Sequence, residues 1–76
     1  MTWTFHILAT AQRRLFSRIL QILESQMVSI HSFAGEIDEE DACMSVSFSS
    51  EQDKAHRIKT LLHRLEDIRS VSVSNQ

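Results

Sequence analysis

Four polar side chains that could share a catalytic role lie close together near the end of the sequence. His63, Arg64, Glu66 and Asp67 combine a possible general base, a cation and two carboxylates. A general base needs a concave, partly dry setting that tunes its pKa, and the pattern around these residues predicts none. Because the neighbouring apolar residues repeat at helical spacing, we interpret the group as the end of a helix, where cationic side chains meet unpaired carbonyl groups.

Histidine and cysteine side chains could also bind a metal ion. The candidates are His6, His31, His56, His63 and Cys43. No pair among them has the short spacing of a zinc site, and His56 and His63 are two helical turns apart. The acidic segment 35–41, GEIDEED, lacks the spaced terminal glutamate of a calcium-binding loop and predicts a solvated hairpin connection. We therefore expect no metal, no cofactor and no enzymatic activity.

The length and charge of the chain favour a small soluble module. Seventy-six residues predict one domain, 1–76, which buries too little surface to be more than marginally stable without a partner or a second copy. The net charge of −2 does not favour binding to nucleic acid. No apolar run could span a membrane, and the N-terminus lacks the basic leader of a signal peptide, so a cytoplasmic location is expected.

Two amphipathic helices are predicted. The apolar stripe of the first consists of Leu15, Ile19, Ile22 and Leu23, with Phe16 and Leu20 beside it and Thr10 as the N-cap. The stripe of the second consists of Ala55, Ile58, Leu62 and Leu65, with Leu61 beside it. Ser49 with Gln52, or Ser50 with Asp53, resembles a capping box at its start.

Four segments alternate between apolar and polar residues, as half-buried strands do. The side chains assigned to the helix-covered face are Trp3, Phe5, Ile7, Val28, Ile30, Met44, Val46, Phe48, Val71 and Val73. Those assigned to the opposite face are Thr4, His6, Ser29, Ser45, Ser47, Ser70 and Ser72, and Phe33 is placed outside the core.

The order of the elements predicts the fold class. Right-handed crossovers of two strand–helix–strand units give an α+β, ferredoxin-like βαββαβ sandwich: a four-stranded antiparallel sheet with two helices on one face. The first and third strands are then central, and the second and fourth strands form the edges. The serine-rich face can lie in water, as one face of an antiparallel sheet often does.

The helical side is basic, which leaves a weak RNA-binding module as an alternative. Its cations are Arg13, Arg14, Arg18, Lys54, Arg57, Lys59 and Arg64. RNA binders of this fold stack bases on aromatic side chains of the open sheet face, whereas the aromatic residues here are assigned to the core. An acylphosphatase-like enzyme needs an arginine and an asparagine near a phosphate, and the only asparagine is Asn75.

Two segments resemble a known family. FSRILQILESQMVSIHSF (16–33) is similar to the first helix and second strand of ACT domains, and LLHRLEDIRSVSV (61–73) to their last helix and strand. The similarity is greatest to the small regulatory subunits of acetolactate synthase, of the short type that belongs to the valine-insensitive isozyme. The resemblance implies the fold derived above, and it implies that the histidine, arginine and aspartate mark a helix-to-strand junction without catalysis.

The resemblance also implies where this protein would act. The corresponding effector loop is Thr10, Ala11, Gln12, Arg13 and Arg14. The interface on the second strand, where ACT domains pair edge to edge, is Val28, Ser29, Ile30, His31, Ser32 and Phe33. Where the family has an asparagine and a glycine in the loop, this chain has Ala11 and Arg14, and Met27 replaces the glycine after the helix. We expect these changes to prevent the usual binding of valine.

The leading hypothesis is a non-catalytic subunit, a homodimer, that binds and activates the large catalytic subunit of acetolactate synthase in branched-chain amino-acid biosynthesis. The main alternative is a free-standing ACT-type sensor that binds an amino-acid effector. Stabilisation by an amino acid would favour the sensor, and association with a catalytic subunit would favour the regulatory subunit.

Overall fold

The computed structural model describes residues 1–75. Its six elements follow the predicted β-α-β-β-α-β order. They are β1 (Thr2–Thr10), α1 (Leu15–Ser25), β2 (Ser29–Asp38), β3 (Asp41–Ser49), α2 (Gln52–His63) and β4 (Ile68–Asn75). The four strands form one antiparallel sheet in the order β2-β3-β1-β4, so β1 and β3 are central and β2 and β4 are the edges. The predicted ferredoxin-like fold is confirmed.

The core lies between one face of the sheet and the two helices. Phe5, Val46 and Phe48 of the central strands are completely buried, and so are Ile19 and Ile58 of the helices. The rings of Phe5 and Phe48 meet edge to face with their centroids 5.0 Å apart. The predicted phases of β1 and β3 are therefore confirmed, because alternation over nine residues leaves only one way to bury the bulky side chains.

An irregularity in β2 decides on which side of the sheet one aromatic residue lies. Ile30 pairs with Phe48 and Ser32 with Ser47, so His31 is an extra residue that bulges from the ladder. Beyond the bulge the phase of β2 is reversed, and Phe33 pairs with the buried Val46. The prediction that Phe33 lies outside the core, at an edge, is confirmed, because it is 38% exposed on the edge strand β2. The bulge nevertheless places its ring on the helix-covered side, where it packs edge to face on Phe16 of α1.

The acidic segment 35–41 is an exposed hairpin, as predicted, but most of its length is strand and not connection. The β2–β3 ladder continues to the pair Asp38–Asp41. Only Glu39 and Glu40 form the turn, and Glu39 takes a left-handed φ of 52°. Gly35 serves packing instead of a turn, because a Cβ there would lie 2.8 Å from the ring of Phe16.

Neither predicted helix cap is formed. Thr10 ends β1, and α1 begins four residues beyond Ala11, with Arg14 at its N-cap position. The N-cap residue of α2 is Glu51, and no side chain caps its first turn, so both proposed capping boxes, Ser49 with Gln52 and Ser50 with Asp53, were wrong. β1 and β3 extend far enough to include Thr10 and Ser49, which pair with residues of the neighbouring strand and do not cap a helix.

Hydroxyl groups and two histidines cover the open face of the sheet. The hydroxyls of Thr4 and Ser47 are 2.9 Å apart, and Nδ1 of His6 is 2.9 Å from Oγ of Ser45. Nε2 of His31 lies 2.5 Å from Oγ of Ser49, which holds the bulge residue against β3. These cross-strand pairs satisfy the polar face locally, as the sequence predicted for a sheet with one face in water.

Candidate functional site

The four polar residues near the end of the chain lie at a helix end, as predicted. His63 is the last residue of α2, Arg64 is its C-cap, and the turn after it leads into β4. His63, Arg64 and Glu66 are exposed, whereas Asp67 is half-buried. The four side chains do not converge on one point, because three of them lie in solvent on the outer side of the turn.

Three connections meet at one end of the sheet and hold the predicted effector loop between them. The backbone N–H of Thr10 donates to the carbonyl of Asp67, and that of Ala11 donates to the carbonyl of Glu40, both at 2.8 Å. Gln12 Nε2 donates to a carboxylate oxygen of Asp67 at 2.5 Å. The loop is thus fixed by the α2–β4 turn on one side and by the β2–β3 turn on the other.

Asp67 is the side chain on which this arrangement depends. Its carboxylate accepts from Gln12 and lies 3.9 Å from Arg18 of α1, and its side chain is only 11% exposed. A charge-assisted hydrogen bond to a largely covered carboxylate contributes more to stability than an exposed ion pair does. The sequence indicated Asp67 as part of a turn but gave no sign of its partners, Gln12 and Arg18, which lie 55 and 49 residues earlier in the chain.

We expect replacement of Asp67 by alanine to lower the free energy of unfolding by about 1.5 kcal/mol, because Gln12 loses its charged acceptor. Chemical denaturation of the purified variant measures the change. The control is Glu66→Ala, which removes a carboxylate from the exposed neighbouring position and should change the stability by less than about 0.5 kcal/mol. Equal losses in the two variants would contradict the proposed role of Asp67.

Besides Glu39, two residues within 1–75 have backbone conformations that favour glycine, and they lie at the two ends of α1. Arg14 has a φ of 65° and Met27 a φ of 57°. These are two positions at which the resembling family has glycine. The left-handed region costs a residue with a Cβ about 1 kcal/mol relative to glycine. The backbone at Arg14 and Met27 is therefore strained. The loop therefore retains the backbone path of a glycine turn while it carries a long cationic side chain at Arg14.

We expect Arg14→Gly and Met27→Gly each to raise the free energy of unfolding by about 0.5–1 kcal/mol, because each releases left-handed strain. Arg13→Gly is the matched control: Arg13 lies beside Arg14 but does not have a positive φ. There, glycine should instead destabilise by a similar amount, since it only adds freedom to the unfolded chain. Thermal denaturation compares the three, and stabilisation by Arg13→Gly would contradict the assignment of strain.

The predicted interface forms the first half of β2, apart from Val28, which precedes the strand. Its ladder with β3 uses one edge of β2, and the other edge has no neighbouring strand within residues 1–75. Nine of the ten residues of β2 are exposed, and only Ile30 is half-buried. On the helix-covered side, Phe33 and Ile37 expose 38% and 58% of their surface. This is a long, partly apolar strand edge that is open for pairing.

The predicted effector loop is cationic, and three of its five residues are exposed. Arg13 and Arg14 lie in solvent at the start of α1, whose first turn has no side-chain cap. Of the two grooves that the structure describes, neither is lined by a residue of the loop. Uncapped N–H groups and two cations suit an anionic group such as a carboxylate. The loop can therefore offer charge and backbone donors, but it lines neither groove.

Other chemical groups do not assemble into a site. In the described part of the chain, no three histidine, cysteine, aspartate or glutamate side chains lie close enough to hold a metal ion. Cys43 is a free, exposed thiol on the open face, where it pairs in the ladders with Leu8 and Glu36. None of the helices within residues 1–75 has the length and apolar character needed to cross a membrane.

Sequence comparison finds neither a matching family model nor a matching curated protein. Solved structures are similar at low sequence identity. The ACT domain of a GTP pyrophosphokinase from Chlorobium tepidum superposes with a TM-score of 0.87 at 11% identity, covering 97% of each chain. A formyltetrahydrofolate deformylase from Pseudomonas putida KT2440 matches with a TM-score of 0.83 at 14% identity, covering all of this chain and 29% of the deformylase.

A homoserine dehydrogenase from Thiobacillus denitrificans contains the same fold within a longer chain. The TM-score is 0.78 at 12% identity, and the match covers 95% of this chain but 16% of the dehydrogenase. Similarity of this kind, with high TM-scores at 11–14% identity, establishes the fold alone. The chain therefore has the ferredoxin-like fold that is found in ACT domains.

Proposed function

We propose that the protein is a non-catalytic regulatory subunit that binds and activates the catalytic subunit of acetolactate synthase. The observation that carries the proposal is the unpaired β2 edge, which lies in the same fold as a fixed and cationic effector loop. The sequence resemblance of residues 16–33 and 61–73 to the small subunits of that enzyme supports the choice of partner.

The β2 edge favours a homodimer. Ten residues of strand with unsatisfied backbone groups invite pairing with another strand, and two exposed apolar side chains add surface to be buried. Pairing of two β2 edges joins the sheets into a continuous one and keeps the helices on a common face. A domain of this size gains stability from such an assembly, because its own core is small.

Activation then follows from differential binding. A regulatory subunit raises activity only if it binds the active conformation of the catalytic subunit more tightly than the inactive one. Structural neighbours in which a domain of this fold forms a minor part of a named enzyme, 29% of the deformylase and 16% of the dehydrogenase, support a role beside an enzyme. In this protein the enzyme is proposed to be a separate chain.

The test combines the purified protein with the thiamine-dependent catalytic subunit of a valine-insensitive acetolactate synthase. We expect co-elution at micromolar concentration and a several-fold increase in the rate of acetolactate formation. Titration of the small protein should saturate that increase at a fixed ratio of the two chains. Absence of both co-elution and activation at 10-fold molar excess over the catalytic subunit would overturn the proposal.

We expect valine not to bind to the assembled protein with micromolar affinity. Ala11 lacks the amide of an asparagine, and the side chain of Arg14 occupies space that a glycine leaves free beside the backbone. Isothermal titration calorimetry with valine, leucine and isoleucine measures this directly. The double variant Ala11→Asn/Arg14→Gly is the companion experiment and should gain binding. Micromolar binding of valine to the unaltered protein would contradict this prediction.

A further inference from the structure

A second free strand edge lies at the opposite side of the sheet from β2. β4 pairs with β1 on one side, and within residues 1–75 no strand lies on its other side. Every second residue of such a strand points its backbone N–H and C=O groups away from its neighbour. The residues from Ser72 to Asn75 are exposed, so solvent reaches this edge. β4 can therefore form main-chain hydrogen bonds to an additional extended segment.

Segment 70–75 of β4, SVSVSN, has none of the features with which proteins usually block an edge from pairing. It contains no charged residue and no proline. The bulge of β4 is at Arg69, before the segment, and the ladder with β1 is regular from Ser70 to Asn75. Serine and valine alternate along the segment, and the valines favour the extended conformation. A regular edge of this length, about 20 Å, is long enough to bind a short strand.

One flank of α2 lies beside this edge and gives it a charge preference. Gln52, His56 and Lys59 are four and three residues apart, so they lie on one side of the helix. All three line a groove between α2 and Val73 of β4. Lys59 is half-buried, and none of the ion pairs within residues 1–75 includes it. An unpaired ammonium group beside a free strand edge favours an acidic side chain in any strand that binds there.

The floor of this groove is closed. The core residues that form it are at most 7% exposed, so a bound segment contacts the β4 edge and the helix flank and does not enter the core. These residues are Trp3, Phe5 and Ala55. Asp53 and Arg57, the other charged residues of the lining, have opposite charges, which leaves a formal charge of +1 from Lys59. The charge of the flank therefore depends on this one lysine.

We propose that the β4 edge binds an extended acidic segment of another protein, which adds a fifth strand to the sheet. The added strand lies about 4.8 Å from β4, and its side chains alternate between the helix layer and the open face. On the helix side, a glutamate or aspartate meets Lys59, and its apolar stem covers Val73, which is 37% exposed. This surface is separate from the β2 edge and from the effector loop, and the proposal does not depend on the acetolactate synthase partner.

A second copy of this chain is a less suitable occupant of the β4 edge. Twofold pairing of two β4 edges would bring two identical α2 flanks to the same face of the joined sheet, each with a formal charge of +1. Like charges on neighbouring elements disfavour that arrangement, whereas an acidic segment neutralises the flank. The charge of the flank therefore favours a partner of opposite charge.

Three acetylated and amidated heptapeptides, in which threonine alternates with glutamate, glutamine or lysine, test the chemistry. We expect the glutamate peptide to shift the amide NMR signals of residues 70–75 saturably, the glutamine peptide to bind at least about 10-fold more weakly, and the lysine peptide more weakly still. The glutamate peptide with N-methylated backbone nitrogens cannot form the ladder and should also bind at least about 10-fold more weakly.

Three results of the peptide titrations would overturn the proposal: equal responses to the three peptides, no response to any of them, or undiminished binding of the methylated peptide. Dilution of the protein without peptide is the control for self-association. If dilution alone shifts the signals of residues 70–75, a second copy covers the edge, and the proposal is wrong.

A matched pair of charge reversals locates the acidic side chain of the bound segment. Lys59→Glu changes the flank beside β4, whereas Lys54→Glu makes the same change at another half-buried lysine of α2 that does not line the groove. We expect Lys59→Glu to weaken the glutamate peptide at least about 10-fold and to make the lysine peptide the tighter of the two, and Lys54→Glu to weaken it less than about 2-fold. Equal weakening in both variants would show a general effect of protein charge and would overturn the assigned surface.

Discussion

Replacing Phe48 with alanine is expected to remove most of the stability of the domain. Phe48 is completely buried, lies next to the last residue of the central strand β3, and meets Phe5 edge to face. Truncation of a buried phenylalanine costs about 4 kcal/mol, because the lost apolar contacts leave a cavity that the neighbours fill only in part. A chain of this length has a total stability of about 4–11 kcal/mol, so the variant is expected to lose between about a third and all of it.

Urea denaturation followed by Trp3 fluorescence and by far-ultraviolet circular dichroism measures this loss. The matched control is Phe33→Ala, which removes the same ring from an edge position that is 38% exposed and has one aromatic neighbour, Phe16. We expect it to cost about 1 kcal/mol, because water already covers much of the ring. A loss in Phe48→Ala no larger than that in Phe33→Ala would contradict the placement of the core.

The sheet and its buried face were predictable because alternation acts at every position of a central strand. In β1 and β3, moving the phase by one residue would expose Phe5 and Phe48 and bury serines, so composition alone decides the orientation. The edge strand β2 has no such constraint. One extra residue, His31, reverses its phase, and the pattern of the sequence does not mark the bulge.

The helix starts were not predictable from capping motifs, because residues assigned as caps, Thr10 and Ser49, belong to the preceding strands. Thr10 and Ser49 belong to ladders that extend further than the alternation suggested. The strands of the acidic hairpin are longer than predicted for a related reason. Its carboxylates suggested a solvated connection, yet Gly35 and Ile37 alternate with Glu36 and Asp38 in the same way as any strand, and that signal was present in the sequence.

The candidate site was only partly predictable. The effector loop and the β2 edge follow from the resemblance, and their positions in the fold follow from the element order. The anchoring of the loop by Asp67 depends on a contact with Gln12 across 55 residues, which no local pattern encodes.

Placing a lysine at Phe33 is expected to convert the proposed dimer into a monomer. A twofold pairing of β2 edges brings the two copies of this strand together, so each dimer would bury two added ammonium groups near a row of backbone hydrogen bonds. Lysine on an edge strand is a common device against such pairing. We expect the dissociation constant to rise at least 100-fold, which corresponds to about 2.7 kcal/mol.

Sedimentation velocity over a range of concentrations measures the change, and two controls separate charge from loss of packing. Phe33→Ala removes the ring that contacts Phe16 without adding charge, and it should weaken the dimer far less than Phe33→Lys does. Leu8→Lys adds the same lysine at a 51% exposed position of the central strand β1, away from both edges. Because a lysine on the open face leaves the β2 ladder free, Leu8→Lys should remain dimeric. If the unaltered protein sediments as a monomer at 100 µM, or if Leu8→Lys dissociates as readily as Phe33→Lys, then the β2 edge is not where two copies meet.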